Sequence, residues 1–193
     1  MAAPMGEVAR EVYHQSADWR ITSKHGETPM DREDFLTNFE QVRGRTMGVV
    51  RAIPPDKVEW TCRPGEFTLG DLARHIATTE RFIFAECANG RPSKYKGCGR
   101  DLADGLENVI AFMDRMHAES MAIFRGMTDA DLLKKGTTVE GKPVTAWRLL
   151  RAMLEHEAHH RGQMYVYLGI LGVPTPSLFG LNERQVKTLS AQP

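Results

Sequence analysis

The segment His156-Glu157-Ala158-His159-His160-Arg161-Gly162-Gln163 concentrates the groups of this chain best suited to chemistry. His156 and His160 are four residues apart, which on an α-helix sets them about 40° apart around the axis and roughly 6 Å apart along it. Both imidazoles can then reach one divalent ion, and His159 lies nearby. The same spacing also suits a solvated or core-capping histidine pair. His75 stands between Leu72 and Ile76 on the apolar stripe of an earlier helical segment. Alone, such a residue is equally a hydrogen-bonded core histidine. One inward histidine on a bundle helix and an inward His-x-x-x-His on another can supply three nitrogens and leave positions open for water or substrate. Three imidazoles suit zinc, nickel or iron(II).

The neighbouring groups each admit a chemical and a structural reading. Glu157 and His159 are the candidate proton-transfer groups. Glu157 is turned about 100° from His156, which predicts solvent exposure. Arg161 and Gln163 are candidates for orienting ligands or binding an acidic cofactor group, and Arg161 equally suits a helix-surface ion pair. His156, Glu157 and His160 also satisfy H-E-x-x-H, the zincin metallohydrolase signature, with Asn182-Glu183 downstream where a third ligand would stand. That reading requires peptide-binding strands beside the motif, and the sequence shows none. Lys94, Lys96 and Arg100, in the loop from Arg91 onward, suit either an anionic cofactor or solvent. Trp147, Tyr165, Tyr167 and the methionines Met113, Met116, Met121, Met153 and Met164 read as core or dimer surface.

Helices must position these groups. Phe35, Phe39, Val42, Met47 and Val50 recur at helical spacing from Asp31 and stop before Pro54-Pro55. Thr68, with Asp71 behind it, caps a second helix over 68–89, carrying Leu72, His75, Ile76, Thr79, Phe82 and Ile83 to Asn89-Gly90. A third is predicted over 101–126. A fourth is predicted over 143–171, starting at Pro143, after a turn at Glu140-Gly141-Lys142. A short helical pattern covers 182–189, and at most a few extended residues stand around 137–139. Residues 1–30 read as an arm with a short helix over 7–19, and 31–193 as one all-α, four-helix bundle domain with a helical tail.

The composition agrees with one globular domain. The chain has 193 residues, with 25 Lys+Arg balanced by 25 Asp+Glu, a pI near 7.1 and a mean hydropathy of −0.38. Neutrality argues against nucleic-acid or membrane partners, which are met by an excess of basic residues. No apolar run is long enough to cross a bilayer, and no signal-peptide core is present. Cys62, Cys87 and Cys98 form no C-x-x-C pair, which fits reduced thiols in the cytoplasm.

His75 in Asp71-Leu-Ala-Arg-His-Ile-Ala, followed by His156-x-x-x-His160-Arg161-Gly162-Gln163 and the Pro176-Ser-Leu-Phe-Gly180-Leu-Asn tail, resembles the DinB-like (DinB/YfiT) superfamily over roughly residues 31–190. The resemblance implies a bundle in up-down-down-up order with a crossover between helices two and three, and a frequent homodimer. It also implies a divalent metal, zinc or nickel above iron, held by His75, His156 and His160, with His159 as a neighbour. Relatives with assigned activities include transferases and isomerases that use glutathione, mycothiol or bacillithiol. The implied function is a metal-dependent enzyme, a thiol S-transferase or a hydrolase, activating water or a low-molecular-weight thiol toward a small-molecule electrophile. The alternative is a non-catalytic metal-binding stress or interaction protein.

Overall fold

The computed structural model describes residues 31–177, 180–181 and 183–191. The expected arm over 1–30, with its helix over 7–19, lies outside the described residues, as does Asn182. Helix α1 (Arg32–Val50) starts at Asp31, whose side chain accepts the Asp34 N–H. The next rod begins with α2 (Leu69–Thr79), where Thr68 and Asp71 form a reciprocal capping box. It continues through one π-helical segment (Glu80–Phe84) into α3 (Ala85–Ala88). Gly90, at φ 69°, follows its end. Helix α4 (Leu106–Arg125) is followed by a single capped turn, α5 (Asp129–Leu132). A hairpin of β1 (Lys135–Thr137) and β2 (Pro143–Thr145) leads into α6 (Ala146–Ile170), and α7 (Glu183–Ser190) forms the tail.

Contacts between the rods give their directions. The start of α1 meets the chain beyond α4, since the Arg32 N–H donates to Asp129; α1 and α4 are antiparallel. Arg74 reaches the Ala103 carbonyl before α4, while Arg81 pairs with Glu119 well along it, so the second rod runs parallel to α4. His75 meets His156, and Cys87 packs with the earlier Leu149; that rod is antiparallel to α6. Arg43 pairs with Glu157, and Arg161 donates to Thr46, so α1 and α6 are parallel. The order is up-down-down-up, as the family resemblance implies.

Three local features depart from the sequence expectation. The third helix starts five residues late, because Ala103 is extended and Gly105 takes φ 79°. The fourth starts at Ala146, since Pro143–Thr145 pairs antiparallel with Lys135–Thr137. Gly136 of β1 lies so close to the Cys87 carbonyl that a Cβ there would collide with it. The π segment adds a residue to the second rod, so the buried face continues through Ala85, Cys87 and Ala88 while Phe82 and Ile83 are left half-buried.

The core is split. Of the two larger apolar clusters, one gathers Val49, Leu72, Ile76, Met113, Met164 and Leu168, and the second gathers Phe35, Phe39, Phe124, Leu150 and Met153. On each long rod, a charged or imidazole residue falls between the two: Arg43, Glu80, His117 and Glu157.

Candidate metal centre

Leu69, Leu72, Ala73 and Ile76 bury one face of α2 completely, and that anchoring fixes where His75, one residue from Ile76, can point. On α6, buried Met153, Leu154 and Met164 seat the helix on both sides of His156 and His160. The Nε2 atom of His156 lies 3.1 Å from Nε2 of His75 and 3.1 Å from Nε2 of His160. Ring centroids are 4.4–5.0 Å apart. The structure therefore brings together the three histidines the sequence singled out.

The far sides of two rings are tied down. The Gln163 side-chain oxygen sits 2.7 Å from His160 Nδ1. An amide oxygen only accepts, so Nδ1 carries the proton and Nε2 presents a lone pair. The Tyr95 hydroxyl stands 2.6 Å from His75 Nδ1, a hydrogen bond that fixes the orientation of that ring. Burial, followed by the neighbouring imidazoles, pushes His75 down to about 4 and His156 down to about 3. Burial also lowers His160. All three rings are neutral at neutral pH, the form that ligates.

With each ring protonated at Nδ1, three converging lone pairs repel one another unless a cation stands among them. A tetrahedral divalent ion about 2.0–2.1 Å from each nitrogen separates its ligand nitrogens by roughly 3.3 Å, close to the 3.1 Å from His156 to each of the other two, and all three lie within 4.8 Å of one another. The donor set fits such an ion. The rings face a cavity of about 590 Å³ whose other walls include Glu66, Phe67, His159, Gln163 and Tyr167. Phe67 leans over His75 and His160 at 5.3 and 6.3 Å.

The remaining candidates separate. His159 is exposed at the cavity wall, its ring 4.9 Å from His160. Glu157, expected in solvent, is only 2% exposed and meets Arg43 at 3.0 Å. It is not part of the cavity wall, so it has neither the proton-transfer position sketched for it nor the general-base position that H-E-x-x-H requires. The only strands among the described residues are those of the short hairpin. Arg161, expected on the surface or at a cofactor, is buried and donates to the Val42 carbonyl and Thr46 hydroxyl at 3.3 Å. Arg91 and Arg100 pair with Glu86 and Asp104, and Lys96 lies over the Phe82 ring. Tyr95 is the contact that sequence reasoning missed, because a loop tyrosine has no periodicity to mark it.

The DinB superfamily model matches residues 38–164, a span that contains all three rings. The uncharacterized protein YjoA of Bacillus subtilis is 27% identical over 143 residues, covering 72% of this chain and 89% of YjoA. Its crystal structure, that of a DinB-like protein, superposes with a TM-score of 0.60 at 20% identity, covering 75% of this chain and 96% of that one. A DinB-like protein from Bacillus cereus gives a TM-score of 0.67 at 20% identity, covering 78% and 99%. A mycothiol-dependent maleylpyruvate isomerase gives 0.54 at 15% identity, covering 84% of this chain and 69% of that one. These structural likenesses carry the fold, and the family match over well more than half of the sequence carries the family: the chain belongs to the DinB superfamily.

Proposed function

We propose that His75, His156 and His160 hold one divalent transition metal, zinc or nickel before iron, and that the protein is a metal-dependent enzyme acting on a small molecule. The observation that carries this reading is the convergence of three Nε2 atoms on a cavity of about 590 Å³. A structural metal site is normally closed by protein ligands, whereas a catalytic one keeps a position open. Among the described residues, no fourth His, Cys, Asp or Glu joins the three.

When bound, the ion supplies Lewis acidity, which favours the deprotonated form of a water or thiol beside it. The chain's own residues do the rest. Gln163 holds His160 in the tautomer that leaves Nε2 free, and Tyr95 orients the His75 ring. His159, exposed at the cavity wall, is placed to take a proton released there and pass it to solvent. Phe67 shields the rings from bulk water on one side. A low-molecular-weight thiol is the favoured nucleophile, in keeping with the distant likeness to a mycothiol-dependent isomerase. A cytoplasmic homodimer without nucleic-acid or membrane partners completes the proposal; no helix among the described residues is long and apolar enough to cross a membrane.

Elemental analysis of tag-free protein tests the centre: near one transition metal per chain is expected. Thermal-shift titration of the metal-loaded protein with glutathione, mycothiol and bacillithiol tests the reaction class. A full complement of metal with no response to any thiol overturns the thiol reading and leaves water or the non-catalytic alternative.

A further inference from the structure

A second cavity, of about 320 Å³, opens between the end of the second rod, the β-hairpin and the start of α6. Phe84, Val144, Leu149 and Ala152 make its walls largely apolar, and Arg148, Glu140 and Thr138 stand at it as polar groups. Glu140 is paired with Lys142 at 2.7 Å. The Arg148 guanidinium lies over the Trp147 ring, 5.3 Å from its centroid, and has no carboxylate partner among the described residues. An apolar pocket with one unneutralised, half-buried guanidinium is complementary to a compact apolar body bearing a carboxylate, the planar anion that arginine binds in bidentate fashion. At about 30 Å³ per water-sized atom, the space accommodates on the order of ten non-hydrogen atoms.

Its position relates it to the metal centre. Arg148, Ala152 and His156 follow one another at intervals of four on α6, each step about 6 Å along the helix. Ala152 lines the second cavity and His156 the first. Phe84 lines the second cavity too, and its ring lies 5.6 Å from the His156 ring. One aromatic side chain therefore stands between the pocket and the three imidazoles. Phe84 closes the π-helical segment, so the residue added to that rod sets the position of the dividing ring. Bulges of this kind are frequent at functional sites.

We propose that this cavity binds a small apolar carboxylate, held by Arg148 at the anion and by Phe84, Val144, Leu149 and Ala152 at the body, one aromatic ring away from the metal centre. Its relation to a metal rests on the proposed metal reading; the binding itself does not. The probe is 3-phenylpropanoate, with 3-phenylpropanamide as its neutral counterpart, titrated by calorimetry into the metal-loaded chain and into the same chain after chelation. The carboxylate should bind both forms, and the amide at least tenfold more weakly. Arg148→Gln should lower carboxylate affinity at least tenfold and bring it to the level of the amide. Ala152→Phe, at an exposed position that fills the pocket without disturbing the core, should abolish binding of both probes with the metal content unchanged. Equal binding by wild type and Ala152→Phe overturns the proposal, as does a carboxylate affinity indifferent to Arg148→Gln. Binding that disappears on chelation and survives both substitutions places the carboxylate on the metal, and also overturns it. A chain that carries no metal yet binds the carboxylate through Arg148 keeps the pocket and discards the metal reading, so the two failures are distinguishable.

Discussion

Two polar clusters sit side by side in this bundle, and helix α6 serves both with adjacent residues. His156 and His160 turn to an open cavity with His75. Glu157 turns to the interior, where Arg43, Glu80 and His117 complete a layer with one residue from each long rod. The layer brings its own counter-charges: with His117 protonated, two cations face two carboxylates. The histidine cluster brings neutral rings and no charge to oppose an incoming cation. A cluster that balances itself holds the bundle in register, whereas three neutral rings facing an open cavity suit something that arrives from solution. Burial accordingly acts differently in the two. It opposes charge on Arg43, but Glu157 and Glu80 outweigh it and raise that group. Among the imidazoles nothing outweighs it, and the rings stay neutral.

The comparison breaks most visibly at His160 and Glu157. His160→Ala should reduce metal from near one per chain to near zero by elemental analysis, with the fold retained. Glu157→Gln should keep the metal while lowering stability. Metal retained at full stoichiometry in His160→Ala would remove the basis for distinguishing the clusters. The next effect belongs to the charged layer. Arg43→Met leaves Glu80 and Glu157 buried without their cation, and breaking such a pair costs about 3–5 kcal/mol. The urea midpoint should fall accordingly, and the metal content of the folded protein should not.

How much of this could be read from the chain depends on which cluster is asked about. His75, His156 and His160 were legible because ligation requires particular residue types at helical spacing, and the four long apolar stripes made the bundle equally plain. The charged layer was not. Arg43, Glu80 and Glu157 look like the solvated face of any amphipathic helix, and only the packing of four rods shows that they fill the gap between two apolar clusters. Glu157 was expected in water for this reason, and Arg161 on the surface. The π segment was hidden because one added residue changes the helical phase without leaving a breaker; its mark is that Ala85 and Ala88, not Phe82 and Ile83, are buried. Pro143 suits a helix start or an edge strand, and pairing with Lys135–Thr137 decided for the strand.

A smaller effect sharpens the ligand cluster internally. Gln163→Ala and Tyr95→Phe leave the three Nε2 donors in place. Gln163→Ala removes the acceptor that fixes the tautomer of His160, and Tyr95→Phe removes the hydrogen bond that orients His75. Loss of such outer contacts costs on the order of 10–100-fold in metal affinity, measurable by competition with a chelator. Equal affinity in wild type and both variants would show that packing alone orients the rings.

The last contrast is one of sign. In the metal-free protein, His75 and His156 have folded-state values of about 4 and 3 against an ordinary 6.5. The unfolded chain therefore binds more protons as pH falls below 6.5, and the two rings withdraw stability across the window from 6.5 down to those values. His117 runs the other way. Burial opposes its charge, but Glu80, 3.4 Å from Nδ1, with Glu40 at 3.2 Å on its other nitrogen, raises it above 6.5. Its contribution is complete below 6.5 and is lost as pH rises through the raised value. Urea midpoints of the metal-free chain between pH 4.5 and 8.5 should therefore decline toward both ends. His117→Gln should flatten only the alkaline side, and His156→Ala should flatten part of the acid side. If His117→Gln flattened the acid side instead, its ring would be neutral in the folded chain, and the charged layer would hold two carboxylates against a single guanidinium.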